Sequence, residues 1–427
     1  MQILLKGGIV ISNEGNPKIQ DVFIDDNLIS HISESIHVEA DFKINCERKI
    51  VSPGFVNMHT HVAMSNMRSL LDDLPFDKFL NNGFKLDAIR NDEEIYYGSK
   101  LGILEMLSKG ITSFLDMYYS EDIVAKAVEE LGIRGYLGWS IVNKNMTTQK
   151  GEPLKNAENF INKFRGHELV TPFPAPHGVY SCDRDDLIAS KEIADRYDLP
   201  YTIHLSETRQ EVYDLVKKEK KRPVEFLDDI GFLSNRLIAA HALYLTLAEI
   251  RRAGDKGITV VNDPISNMKL GNGNFSPVLE MIQHGINYTL GTDSATTENS
   301  LDLLENAKIA SLLQKNYREE PLSMPPSIMV KALTINPYNV LKGKLGKIVE
   351  GYLADITVVG GKYSQVPLTP ENAENILIYS TSGSDVTHTI VNGKLLYNNG
   401  EFNKINADEI ISKNMKIYEH YKSLMNS

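Results

Sequence analysis

Val51-Ser52-Pro53-Gly54-Phe55-Val56-Asn57-Met58-His59-Thr60-His61 is an apolar run that ends in two histidines spaced two apart. In a strand that spacing points both imidazoles to one side, so a single cation could take a nitrogen from each. The signature returns further along the chain. Tyr201-Thr202-Ile203-His204 and Leu237-Ile238-Ala239-Ala240-His241 each reach a histidine, and Tyr288-Thr289-Leu290-Gly291-Thr292-Asp293 ends in a carboxylate. Such runs read as buried parallel strands that deliver side chains to one edge of a barrel.

Strand-like segments at 50–57, 111–117, 134–141, 170–176, 201–205, 237–242, 258–262 and 287–292 alternate with amphipathic stretches such as 121–131, 185–197, 207–219 and 246–254. Eight strand–helix units over residues 51–345 predict an α/β fold of the (β/α)8 TIM-barrel type, with the active site where the strands end. The first fifty residues differ. Gly8-Ile9-Val10-Ile11, Asp21-Val22-Phe23-Ile24 and Phe42-Lys43-Ile44-Asn45 are short and bounded by turn signals such as Asn13-Glu14-Gly15. A similar pattern returns at 351–359 and 386–397. Residues 1–50 and 346–427 are therefore expected to pair into a small composite β-sandwich domain around the catalytic barrel.

Composition bounds what such a fold can do. The 427 residues are 42% hydrophobic and 24% charged, enough for one large core and a smaller one. With 45 basic against 56 acidic residues the net charge is -11, which argues against nucleic acid as the main partner; a small-molecule substrate is the expected partner. The start, Met1-Gln2-Ile3-Leu4-Leu5-Lys6, lacks the features of a signal peptide, and no apolar stretch approaches the roughly eighteen residues of a membrane helix. A soluble, cytoplasmic protein without membrane contact is expected. Cys46 and Cys182 lie far apart and suggest neither a disulfide nor a thiolate metal site. The run Lys217-Lys218-Glu219-Lys220-Lys221-Arg222 reads as a solvated helix end.

The chemistry follows from the strand ends. His59, His61, His204 and Asp293 can converge as three imidazoles and a carboxylate, leaving a position open for water. Nitrogen and oxygen donors without thiolate fit one divalent ion, zinc first, with iron(II) or manganese as alternatives. Glu207, three residues past His204, is placed for the general acid/base work that hydrolysis of a C–N bond requires, and a capping role in the next helix is the plainer alternative. His241 could orient the attacking hydroxide or a developing oxyanion. His177, after the fourth strand, could reach the substrate. The remaining histidines, at 31, 37, 167, 284, 388 and 420, lack such placement.

These motifs, with Met67-Arg68-Ser69-Leu70-Leu71-Asp72-Asp73-Leu74-Pro75, His204-Leu205-Ser206-Glu207-Thr208, Ser266-Asn267-Met268-Lys269-Leu270-Gly271 and Asn299-Ser300-Leu301-Asp302, resemble the amidohydrolase superfamily in its cyclic-amidine deaminase and chlorohydrolase branch. The subgroup most similar is that of the 5'-methylthioadenosine/S-adenosylhomocysteine deaminases. The resemblance implies metal ligation by His59, His61, His204 and Asp293, proton transfer to ring N1 by Glu207 and hydroxide positioning by His241. It also implies that Asp293 takes the proton of the attacking water. It covers nearly the whole chain, and a homo-oligomer, dimer or tetramer, is an expectation from it alone. Pro174-Ala175-Pro176-His177 offers no lysine to bridge a second metal, so a mononuclear site is expected. At three positions the chain departs from the subgroup. Asp87 stands where a glutamate for the ribose hydroxyls is expected, Trp139 where an arginine is, and Asn262 where a histidine is more usual. Trp139 could stack on a heterocycle but cannot clamp a carboxylate. The alternatives are an amidohydrolase or chlorohydrolase acting on another cyclic amide or halogenated heterocycle, and a catalytically silent barrel.

Overall fold

Phe55–Thr60 forms the expected strand, but the residues just before it belong to a different sheet. In the computed structural model, which describes residues 1–147, 149–273 and 275–425, Lys49–Pro53 pairs antiparallel with Ile356–Gly360 and parallel with Ile9 and Val10. Gly54 alone separates it from Phe55–Thr60, here β1. A side chain at 54 would place its Cβ 2.1 Å from Thr112 Oγ1, so only glycine lets the backbone cross from one sheet to the other here. The expected strand 50–57 is therefore two strands, separated at Gly54.

The other parallel strands are β2 (Ile111–Tyr118), β3 (Arg134–Ile141), β4 (Val170–Pro176), β5 (Tyr201–Leu205), β6 (Leu237–His241), β7 (Thr259–Asn262) and β8 (Asn287–Leu290). They form two four-stranded ladders, β1 to β4 and β5 to β8, with every neighbouring pair parallel. Nearly every position is buried, as parallel strands covered on both faces must be. Backbone hydrogen bonds bridge the two breaks between ladders. The His204 N–H donates to the His177 carbonyl at 3.0 Å, and the N–H groups of Thr292 and Asp293 donate to the His59 carbonyl at 3.2 and 2.9 Å. Asn57 strengthens the second seam by bonding Thr292 through both ends of its amide, at 2.8 and 3.1 Å. Gly291 allows this approach, since a Cβ there would lie 2.4 Å from Asp263 Oδ1. Both seams therefore run through residues that carry candidate site side chains.

Helices follow the strands close to the expected stretches, at Glu121–Leu131, Arg184–Tyr197, Arg209–Glu219 and Leu247–Asp255. Asp183, Thr208 and Thr246 accept from backbone N–H groups of the first turns and set where three of them begin. Two helices outside the named amphipathic stretches lie between β1 and β2: α1 (Phe76–Ile89) and α2 (Asp92–Ser108). Asn91 and Glu94 form a capping box at the start of α2.

Both chain ends meet in a single nine-stranded sheet, ordered Glu401–Phe402, Lys394–Asn398, Val386–Val391, Ile356–Gly360, Lys49–Pro53, Gln2–Val10, Lys18–Asp25 and Leu28–Ser33, with Phe42–Asn45 also pairing to Gln2–Val10. Its two faces serve two cores, as the period of two in a strand requires. Val10, Val51, Ile390 and Leu395 join a core made within the sheet, whereas Ile9, Ile50, Val391 and Leu396 join the large core shared with the parallel strands and their helices. The last part of the chain leaves this sheet. Ala407–Met425 (α3) packs on α2 and buries Tyr421 with Met67, Leu71, Phe79 and Leu86. The expected assignment of all of 346–427 to a β-domain thus omits a helix that covers the α1–α2 region.

Candidate metal centre and substrate pocket

The site forms at the carboxyl ends of the parallel strands. His59 is the next-to-last residue of β1, His204 lies within β5, His241 is the last residue of β6, and Asp293 lies three residues beyond β8. Ser206, His241 and Asp293 have φ of 48°, 69° and 61°, in the left-handed region that side chains normally avoid. Leaving the strands through this conformation turns the side chains inward, so local strain is held where the functional groups converge.

Three imidazoles and a carboxylate meet. Ring centroids of His59 lie 5.0 Å from His61 and 4.9 Å from His204, with His61 and His204 5.4 Å apart. Asp293 Oδ1 is 3.7 Å from His59 Nε2 and 3.4 Å from His61 Nε2. The Nδ1 atoms of His61 and His204 face the carbonyls of Met117 and His177, each at 2.7 Å. A carbonyl accepts only, so each Nδ1 carries the proton and each Nε2 presents a lone pair. His59 is fully buried with neither ring nitrogen hydrogen-bonded, a costly state for a polar group unless something occupies the space. Burial, together with the neighbouring His61, pushes its imidazole well below the usual range, so it is neutral. Burial, with His177 next, does the same to His204. Burial works against the Asp293 charge, yet facing imidazoles and a 2.7 Å hydrogen bond from Ser266 Oγ hold its carboxyl below the usual value. Neutral nitrogens around an ionised carboxylate are the donor set of a divalent cation site, and His59, His61, His204 and Asp293 fit that group.

Glu207 stands beside this cluster. It precedes the helix that Thr208 caps, so it is not the capping residue of the plainer reading. Burial raises its carboxyl above the usual value, against the pull of His241, whose Nε2 is 3.8 Å from Glu207 Oε2. Asn272 Nδ2 donates to the other oxygen at 3.0 Å. Burial disfavours charge on His241, but Glu207, Asp263 and Asp293 outweigh it and raise its imidazole to about 9. Asn267 Oδ1 and Asp263 Oδ2 face His241 Nδ1 at 3.0 and 3.4 Å and fix the ring. Glu211 accepts from the backbone N–H groups of Ser206 and Glu207, both at 2.8 Å, and holds the turn that aims Glu207.

A pocket with about 1020 Å³ of empty space, its mouth included, opens from this cluster. His177, Asp87, Glu207, His241 and Asp293 line it. His177 Nδ1 is 2.9 Å from Ser181 Oγ, and its ring lies 4.6 Å from that of His204. Asp87, on α1, accepts from the Tyr118 hydroxyl and lies 3.6 Å from the Arg90 guanidinium. Trp139 does not line the pocket. The alternation along β3 sends Ser140 inward and Trp139 outward, where its indole packs 5.6 Å from Phe160 and donates to Gln149 at 3.0 Å. Asn262 is buried and accepts from the Tyr288 hydroxyl at 3.3 Å. The residues the sequence reading missed are Ser266, Asn267 and Asn272 around the acid groups, and the α1 face. Phe76, Phe79, Leu80, Gly83 and Phe84 repeat at helical spacing, a signal legible in the sequence.

Comparison with known proteins agrees with this geometry. The sequence pattern of the amidohydrolase family matches residues 50–396. A 5-methylthioadenosine/S-adenosylhomocysteine deaminase of Pyrococcus furiosus is 37% identical over 98% of this chain and 100% of its own. A 5'-deoxyadenosine deaminase of Methanothrix thermoacetophila is 36% identical over 93% of this chain and 94% of its own. Among solved structures, an adenosine deaminase from Xanthomonas campestris with bound zinc superposes with a TM-score of 0.93 at 25% identity, covering 99% of this chain and 98% of that one. With the strand-end cluster, the pocket and a family match over most of its length, this chain belongs to the amidohydrolase family.

Proposed function

We propose that this protein is a metal-dependent aminohydrolase that removes the 6-amino group of an adenine nucleoside, releasing ammonia and the hypoxanthine product. The observation that carries the reading is Glu207, a buried carboxyl raised by its surroundings, 3.8 Å from His241 and beside a neutral imidazole cluster. Relatives named as deaminases of such nucleosides over nearly the full length support it. His59, His61, His204 and Asp293 would hold the cation, and zinc, which the Xanthomonas deaminase binds, suits these donors. A divalent cation held there supplies the Lewis acidity that makes water acidic enough to attack near neutral pH.

The chain's own groups carry the protons. Asp293 accepts one from the attacking water as the bond to C6 forms, and Ser266 steadies the carboxylate through Oδ2. Glu207 delivers its proton to ring N1, so the ring takes up the electron pair without building negative charge. His241 donates from Nε2 toward the oxygen added at C6, and Asn267 and Asp263 behind it keep the ring aimed. Asp293 then passes its proton to the departing amine, ammonia leaves, and the proton of the C6 hydroxyl returns to Glu207, which gives the carbonyl and restores both carboxyl groups. Asp87 and His177 are the pocket groups we assign to the ribose and the ring. We read the two bridged ladders as one closed (β/α)8 barrel and the nine-stranded sheet as its folded-over β-domain, sandwich-like in form.

Ammonia release from adenosine, 5'-deoxyadenosine, 5'-methylthioadenosine, guanine and cytosine tests the reading. Release from the adenine nucleosides is the expected outcome. Its absence from every aminated ring, with turnover of a cyclic amide or a chlorinated ring instead, would move the enzyme to the ring-opening or chlorohydrolase branch.

A further inference from the structure

The roof of the pocket differs in chemistry from its floor. The floor carries His61, His204, Glu207, His241 and Asp293, whereas the roof is one face of α1, where Phe76, Phe79, Leu80, Gly83 and Phe84 recur at intervals of three and one. Met146, half exposed on the loop after β3, and Leu270 continue the apolar surface at the rim. A nucleoside with C6 at Glu207 and Asp293 points its sugar away from the floor, so the 5' substituent lies toward the roof and rim.

Among the described residues that line the pocket there is no lysine or arginine. Lys78 and Lys85 of α1 are exposed and do not line the pocket, and four other cations near it are committed elsewhere. Arg90 is buried behind Asp87 and donates to the carbonyls of Ala63 and Glu94, to Asn66 Oδ1 and to the hydroxyls of Tyr118 and Tyr421. Lys269 is tied to Asp72 at 2.7 Å, and Lys144 is paired with Glu152. Arg68 is held by Glu105 and the Asn299 carbonyl. Among the described residues, the acidic group of the roof helix that lines the pocket is Asp87, whose carboxyl is raised above the usual value by burial and which Arg90 faces from behind.

Resting on the deaminase reading, we propose that this pocket selects adenine nucleosides whose 5' substituent is small, neutral and apolar, and discriminates against those with a charged amino-acid tail. A 5'-deoxy or 5'-methylthio group buries its apolar surface on the α1 face without loss. A tail carboxylate brought to the same surface gives up water and finds no cation among the lining residues to replace it. The penalty falls on binding, equally in ground and transition states, so it appears in KM rather than in kcat.

Steady-state ammonia release by the metal-loaded protein decides the question with four substrates: adenosine, 5'-deoxyadenosine, 5'-methylthioadenosine and S-adenosylhomocysteine. The expected kcat/KM for 5'-methylthioadenosine exceeds that for S-adenosylhomocysteine at least about tenfold, mostly through KM. Met146→Arg and Phe84→Arg, both at half-exposed positions of the rim and roof, should each narrow the ratio by raising activity toward the tailed substrate. An equal or larger kcat/KM for S-adenosylhomocysteine would overturn the selectivity while leaving the deaminase reading intact. A ratio that neither substitution moves would overturn the assignment of the tail to the roof and rim. No ammonia from any of the four would overturn the deaminase reading and the selectivity with it.

Discussion

Glu207 and His204 are three residues apart, yet the structure gives them different surroundings, and substitution separates their proposed tasks. His204 has its Nδ1 on a backbone carbonyl and its Nε2 turned to the cluster, so His204→Ala should lose the bound metal along with activity. Glu207 is engaged by Asn272 and His241 and not by the cluster nitrogens. Glu207→Gln should therefore keep stoichiometric metal, measured by elemental analysis, while kcat falls about 10²- to 10⁴-fold through loss of the proton donor. Equal metal loss in both variants would make Glu207 a ligand. Much of this was legible in the sequence, because a histidine at the end of an apolar run is a local signal. Trp139 was not. Which of two adjacent residues on a buried strand faces the lumen is set by the register of the whole ladder, and β3 is apolar on both faces, so Trp139 and Ser140 cannot be told apart by pattern. With the indole outside, Trp139→Arg should lower stability against Phe160 without changing substrate preference, which thermal melts beside kinetic ratios would show.

At the scale of elements, the parallel strands and the helices between the later ones were read from the sequence, whereas the helices that cover the pocket mouth were missed. Strand β6 keeps its predicted place because it is a short apolar run ending at His241, whereas α1 and α2 lie in a long connection whose helical spacing competes with the polar residues between. The C-terminal helix α3 was hidden for another reason. Its partner surface on α2 is more than three hundred residues away in sequence, and only tertiary packing says which element it joins. Tyr421 is the anchor of that packing: it is fully buried and accepts from Arg90 Nε at 3.2 Å. Arg90 also supports Tyr118, which holds Asp87 in the pocket wall. Tyr421→Phe leaves a buried guanidinium donor without its acceptor and should cost about 1.5–3 kcal/mol in denaturant unfolding. It should also raise KM while metal content stays unchanged. Unaltered stability would mean that α3 is a peripheral strap. Gly54 marks the other junction between elements. Gly54→Ala drives its Cβ into Thr112 and should destabilise by about 1–3 kcal/mol, with the loss read from the same unfolding curves.

For the whole molecule, a cation held at the proposed centre would double as a clasp. The ladders β1–β4 and β5–β8 meet at two seams, and the candidate ligands come from both ladders: His59 and His61 from the first, His204 and Asp293 from the second. Each seam's backbone bonds also involve these residues or their neighbours, so an ion drawing the four side chains together ties the ladders at the same points. Binding to the native state alone adds stability by mass action, about 4 kcal/mol when free metal stands a thousandfold above its Kd. Chelation of the loaded protein should therefore lower its unfolding midpoint and speed exchange of the seam amides of His204, Thr292 and Asp293 before that of the nine-stranded sheet. His204→Ala, already without metal, should melt at the same temperature with and without chelator. If chelation removed the metal yet left the midpoint and the seam amides unchanged, the backbone bonds alone would close the fold, and the histidines and Asp293 would serve only the chemistry.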